Sequence, residues 1–263
     1  MCVYVAFHKE FPLLAHDPVY QPIHVGKDLS PKELGFIGDN TGDNISERNP
    51  YFSELTGLYW IWKNTDSDWV GLCHYRRFFF CKEPLFQMKL RKVFELLTGN
   101  GMMRNGIYYT SYIKTSRLIA TRTEIENILA EYDAIVPVQR KLKYPVLKQY
   151  QRRHHIRDME RVKEILSKLY PSYISAFDRV MKKKELISCN MFVMKREFYN
   201  HYMSWLFTVL FELEKLSDIS QYDAYQKRMF GFVSERLFDV WLTHNNVNHK
   251  TLPVLYFKSV KAS

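Results

Sequence analysis

Four consecutive residues, His74, Tyr75, Arg76 and Arg77, hold the densest chemistry in this sequence. They follow the apolar run WVGLC (69–73) and precede Phe78-Phe79-Phe80, so they stand where a strand should end. Ligands of open α/β sheets bind outside the carboxyl ends of strands. Arginine's planar fork fits phosphate oxygens, and three cation donors there could neutralise a departing diphosphate without a metal. The structural alternative is a strand end whose arginines solvate or pair with carboxylates. Strand side chains alternate, so His74 with Arg76, or Tyr75 with Arg77, is expected to face a ligand, not all four.

Three further stretches compete with this one. DNTGDNIS (39–46) crowds Asp39, Asn40, Gly42, Asp43 and Asn44 into one loop. It offers groups to a ribose, a base edge or a sugar hydroxyl, although Asx turns explain such clusters without a ligand. It does not follow the calcium-loop pattern. Asp66-Ser67-Asp68 has the Asp-x-Asp form that could hold a diphosphate's cation, but it precedes its strand and reads as a turn. In GFVSERLFDVWL (231–242), Ser234, Glu235 and Arg236 precede a helical apolar pattern. A Glu235 close to the helix N-terminus would be kept ionised, the form a general base needs, or would merely cap the helix. Asn190, ending ISCN, either satisfies a backbone group or faces a cleft. His154 and His155 are adjacent, which is the wrong spacing for a helical metal pair. P-loop, G-x-G-x-x-G and G-x-S-x-G motifs are absent from the sequence.

The elements that must position these residues are readable from periodicity. VYVAF (3–7), PIHV (22–25), WVGLC, AIVPV (134–138), ISCNMFVM (187–194) and VLYF (254–257) are short and β-prone, and they alternate with helical segments. This predicts an α/β sheet flanked by helices. One helix should start at about residue 50, with Asn49 as cap, Pro50 first, and Tyr51, Leu55, Leu58, Tyr59 and Trp62 as its apolar stripe. Others are expected at 170–184 and 197–216. Residues 82–120, basic and aromatic around NGMMRNG, read as a helical or loop insertion with a turn in its middle.

At 263 residues and 46% apolar content the chain suits one domain, 1–263, carrying that insertion. Apolar runs are too short for a membrane-spanning helix, and MCVYVAFHKE reads as a first strand rather than a leader, so a cytoplasmic protein is expected. The four cysteines lack a C-x-x-C pair and are expected to be reduced. A net charge of +10 suits phosphate-bearing or anionic-membrane partners. No RNA- or DNA-binding signature accompanies it, so nucleic acid is not an expected partner; a non-catalytic nucleotide- or nucleic-acid-binding module is the alternative reading.

DNTGDNISERNPYFSELTGLYWIWKN followed by DWVGLCHYRRFF resembles a bacterial family first catalogued as a domain of unknown function, the 4422 domain family, in capsular and exopolysaccharide gene clusters. The resemblance continues in VAFHKE, YQPIHVGK, EYDAIVPV, HHIRDMERVKEI, NMFVMKREFYNHYMSWLF and RMFGFVSERLFDVWL, covering nearly the whole chain outside 82–120. Members are regarded as glycosyltransferases. The resemblance implies a GT-A-like, Rossmann-like nucleotide-sugar-binding fold with a mixed, mostly parallel sheet. It also implies a UDP-linked donor, galactofuranose being one associated sugar, and a lipid-linked or polysaccharide acceptor. On this sequence His8, Lys9 and Asp39 to Asn44 would line the donor side, His74 to Arg77 would take the diphosphate, and Glu235 would be the base of an inverting transfer. Asn190, Ser234 and Arg236 join the binding set. No cofactor is required on this reading, Mg²⁺ or Mn²⁺ being the alternative, and a peripheral location at the inner membrane face is compatible with the charge.

Overall fold

The computed structural model describes residues 1–81 and 102–261. The β-prone runs form β1 (Cys2–Phe7), β2 (Tyr20–His24), β3 (Ile37–Gly38), β4 (Trp69–His74), β5 (Arg77–Phe79), β6 (Met102–Arg104), β7 (Ile107–Tyr112), β8 (Ala134–Pro137), β9 (Arg140–Lys141), β10 (Glu185–Leu186), β11 (Phe192–Lys195), β12 (His249–Leu252) and β13 (Val254–Lys261). The helices are α1 (Asn49–Phe52), α2 (Leu55–Asn64), α3 (Arg122–Leu129), α4 (Val146–Gln151), α5 (Ile156–Leu169), α6 (Ile174–Lys182), α7 (Arg196–Leu216) and α8 (Met229–Asn245).

The main sheet runs β3-β2-β1-β4-β11-β8-β12. All of these strands share one direction except β11, which is antiparallel to both its neighbours. The result is the mixed, mostly parallel sheet flanked by helices that a GT-A-like fold has. Beyond β4 the sheet continues through β5, β13, β7 and β6.

Side chains of the central strands alternate between two cores, as the period of a strand buried on both faces requires. Tyr4 and Ala6 of β1, Val70 and Leu72 of β4, and Phe192 and Met194 of β11 join α2, α5, α6, α7 and α8 on one face. Val3, Val5 and Phe7, with Cys73 and Val193, pack on the other against β5, β13 and α3. Burying a large apolar side chain stabilises the fold by about 1.5–3 kcal/mol, so the two layers hold the strand ends, and whatever they carry, in fixed register.

Two expectations about elements change. The helix expected from residue 50 is broken: Asn49 is the first helical residue rather than a cap, α1 lasts one turn, and Ser53 takes a φ of 53° before α2 begins. The Asn49 amide bridges the break by donating to the Ser53 carbonyl at 2.8 Å and to Thr56 Oγ1 at 3.0 Å. The expected insertion falls largely on residues 82–101, outside the described residues. Its remainder is a hairpin followed by a short 3-10 helix (Ile113–Leu118): β6 and β7 pair antiparallel about Asn105 (φ 51°) and Gly106 (φ 75°), the positive-φ pair of a tight hairpin turn.

Candidate active site

β1, β2 and β4 end together, and a cavity of about 830 Å³ opens over their carboxyl ends. That volume suits a nucleotide-sized ligand, since small-molecule sites span about 300–1,000 Å³. His8 and Lys9 follow β1, Val25 and Gly26 follow β2, and His74 ends β4; all line the cavity.

Tyr75, Arg76 and Arg77 line it as well, which corrects the expected alternation. β4 stops at His74, the chain turns through Tyr75 and Arg76, and Arg77 pairs directly with His74 as β5 returns. A two-residue hairpin turn removes the face-to-face alternation, so all four residues surround one cavity. Tyr75 is buried beneath the cations, with the Arg76 guanidinium 5.0 Å and the Lys9 ammonium 5.8 Å from its ring centroid. Arg76 donates to the Lys258 carbonyl at 3.1 Å, while its buried Nε has no partner among the described residues. Burial acts against the Arg77 charge, but negative neighbours, Glu54 and Glu235 among them, outweigh it and raise its pKa.

The opposite wall is organised by a strained corner. Cys189 and Asn190 have φ of 85° and 47°, unusual for non-glycine residues and a conformation that persists only when its surroundings hold it. Here three groups do so. The Cys189 N–H donates to Glu235 Oε1 at 2.9 Å, the Cys189 carbonyl accepts from His74 Nε2 at 2.5 Å, and the Asn190 amide donates to Glu54 Oε1 at 2.8 Å. The contact to a carbonyl fixes the His74 proton on Nε2, and burial lowers that imidazole's pKa.

Glu235 sits in the second turn of α8, not at its start, because the helix begins six residues earlier than the Ser-Glu pattern suggests. Its carboxylate also meets Arg236 Nη1 at 3.1 Å. Two hydrogen bonds leave lone pairs on a carboxylate that can accept about four, and the side chain faces the cavity. Glu54, carried into the cavity by the break between α1 and α2, is a second carboxylate there. His8 is exposed at the cavity edge, yet partial desolvation there, with Lys9, Arg228, His74 and Arg76 nearby, lowers its pKa to about 4.

Other sequence candidates lie outside the lining. Asp39 is fully buried and accepts from the Gly26 and Lys27 N–H groups at 2.9 and 3.1 Å and from the Ser46 hydroxyl at 2.5 Å. It shapes the β2 exit from behind. Asn40 donates to Asp28; Gly42, Asp43 and Asn44 bond one another or Tyr59 and Asn64, as Asx-type loop chemistry does. Asn190 and Ser234 are buried and bonded to each other at 3.0 Å, and Arg236 is tied to Gln149 and the Phe232 carbonyl. The Asp66-Ser67-Asp68 turn is at the amino end of β4, where Arg196 binds the Ser67 and Asp68 carbonyls. At about 3.3 Å per residue, the six steps from Asp68 to His74 separate the turn from the cavity end by roughly 20 Å. Among the described residues no group of three or more His, Cys, Asp or Glu converges as metal ligands would.

Sequence reasoning missed Glu54, Tyr225, Arg228, Phe232 and Tyr256, all on the lining. Glu54 lay inside what looked like a continuous helix, and only the positive φ of Ser53, which no residue type there signals, exposes it. Arg228 is half legible, as the basic residue that opens the RMFGFVSER segment.

No curated protein matches the chain. Among solved structures, the apo form of the WbbM bifunctional glycosyltransferase is similar to it, with a TM-score of 0.86 and 29% identity over 99% of this chain and 46% of that one. The present chain thus spans less than half the length of that protein. The profile of the family described as "Domain of unknown function (DUF4422)" matches residues 2–246, nearly the entire sequence, so the chain belongs to the DUF4422 family.

Proposed function

We propose that this chain is a glycosyltransferase that moves a sugar from a nucleoside-diphosphate donor, UDP-linked, to an acceptor hydroxyl on a lipid-linked or polysaccharide glycan of a capsule or exopolysaccharide. The observation that carries the reading is the gathering of His74, Arg76, Arg77, Lys9 and Arg228 with two carboxylates, Glu54 and Glu235, in one nucleotide-sized cavity at the strand ends. The similarity to a bifunctional glycosyltransferase supports the same class.

In the proposed inverting transfer, the acceptor oxygen forms a bond to the donor's anomeric carbon as the bond from that carbon to the diphosphate oxygen breaks. Glu235 takes the acceptor's proton, and the nucleoside diphosphate leaves with the electron pair. Arg76, Arg77 and Lys9 neutralise that charge inside a cavity with low-dielectric walls, where fixed cations act most strongly. The Nε2–H of His74 is committed to the Cys189 carbonyl, so its part is to hold the wall rather than to shuttle protons. No divalent cation is needed on this account. Release of free sugar from a panel of UDP-sugars, with EDTA and with added Mn²⁺, tests it: turnover undiminished in EDTA is the expected result, and strict Mn²⁺ dependence would refute the cation role given to the arginines.

A further inference from the structure

We propose that the basic face made by α4 and the β9–β10 ladder docks on a bilayer surface rich in anionic lipid. β9 and β10 pair antiparallel, Lys141 opposite Glu185 and Arg140 opposite Leu186, and the Leu142 and Val146 N–H groups bind the Lys184 and Lys183 carbonyls. This pairing brings exposed Arg140, Lys141 and Lys143 beside exposed Lys182 and Lys184. α4 adds Lys148, and Arg152 follows it. Glu185 is the acid within the cluster.

Several exposed cations elsewhere are paired: Arg157 with Glu160 and Glu164, Lys163 with Asp178, Lys215 with Glu212. Among the described residues, none of the cations on this face makes an ion pair, so their charge is unspent. A second observation separates a bilayer from a merely anionic partner. Leu147 projects from α4 with 38% of its surface exposed, and beside it the Tyr144 ring is flanked by Arg152 at 4.8 Å and Lys143 at 5.5 Å. An exposed leucine carried on a short segment between Lys143, Lys148 and Arg152 is the arrangement that inserts below headgroups while the charges bind them.

The face adjoins the cavity. Gln149 of α4 accepts from Arg236 at 2.8 Å, next to Glu235, and His154 stacks on the cavity residue Phe232 with 4.2 Å between rings. A lipid-linked acceptor held in the same bilayer would meet the cavity edge-on. That purpose rests on the transferase reading, whereas the docking itself does not.

The test is co-sedimentation of the full chain with phosphatidylglycerol/phosphatidylcholine vesicles and with phosphatidylcholine alone, in the absence of donor and acceptor, so that its outcome is independent of any transfer activity. Binding is expected to the anionic vesicles only and to weaken with salt. A lysine near such a surface strengthens partition about fivefold, so Lys143→Glu with Lys148→Glu should lower it by at least about 25-fold. Lys168→Glu with Lys250→Glu, the same charge change on exposed residues elsewhere, should lower it less than about threefold. Leu147→Ser should reduce binding about fivefold at high salt as well as low. Circular dichroism checks that each variant is folded. Absence of binding to anionic vesicles, equal losses in the two charge variants, or tighter binding to a mixed RNA pool with no effect of Leu147→Ser would each overturn the proposal.

Discussion

At the scale of single residues, the cavity holds two carboxylates with different surroundings. Glu54 faces cations and has one oxygen on Asn190; Glu235 is gripped by a backbone N–H and by Arg236, and so has a fixed direction. A general base contributes about 10²–10⁴-fold to rate. Glu235→Gln is therefore expected to lower kcat for transfer by about 100-fold or more while leaving the dissociation constant for UDP within about threefold, measured by calorimetry on the same preparation. If Glu54→Gln gives that pattern and Glu235→Gln does not, the base role passes to Glu54. Arg77 makes a separate prediction. Charged hydrogen bonds contribute about 1.5–3 kcal/mol, so Arg77→Met should weaken UDP binding by about tenfold to a hundredfold. Uridine, which lacks the diphosphate, should bind both forms alike.

At the scale of elements, turns decide what the strands present. Gly26 leaves β2 with φ of 69°, and a Cβ there would come 2.5 Å from the Asn49 side chain, whose amide bridges the α1–α2 break. Left-handed backbone costs a non-glycine residue about 1–2 kcal/mol, and displacing Asn49 adds to it. Gly26→Ala is expected to lower unfolding free energy in urea by about 1–3 kcal/mol and to weaken UDP binding, because the same break delivers Glu54. The segment 217–228, which carries Tyr225 and Arg228, is fastened differently. Tyr222 donates to the buried Asp158 at 2.8 Å, and His154 meets Gln226 at 3.2 Å. Burial, with Arg236, Arg153 and His155 nearby, lowers the His154 pKa to about 4. The unfolded chain, with histidine near 6.5, then binds more protons, so stability falls on acidification from about pH 6.5 toward 4. His154→Phe keeps the stacking and removes the titration; its Tm should vary less between pH 6.5 and 5 than that of the parent. Legibility divides along the same line. Strands such as VYVAF and WVGLC, and the long α7, are set by local periodicity and stand where the sequence puts them. The α1–α2 break depends on the positive φ of Ser53, and the turn at Tyr75-Arg76 and the start of α8 depend on partners distant in sequence, which periodicity does not encode. The motif His74 to Arg77 is therefore legible in the sequence, while Glu54 and the loss of alternation are not.

At the scale of the molecule, the family match ends at residue 246, but the fold does not. β12 pairs with β8 at one edge of the main sheet, and β13 lies between β5 and β7, bringing Tyr256 over Arg76 and Arg77. Val254, Leu255 and Phe257 are buried in the second core. Their burial alone is worth about 4.5–9 kcal/mol at 1.5–3 kcal/mol each, before the ladder bonds of two strands are counted, against a total of about 5–15 kcal/mol for a typical domain. Removing the last 17 residues, 247–263, should thus take most of the folding free energy and one wall of the cavity together. A chain ending at Asn246 is expected to lack a cooperative thermal transition and to bind no UDP. A cooperative transition within a few degrees of the full chain's would show instead that β12 and β13 are an appendage, and that the DUF4422 unit folds without the strand that completes its cavity.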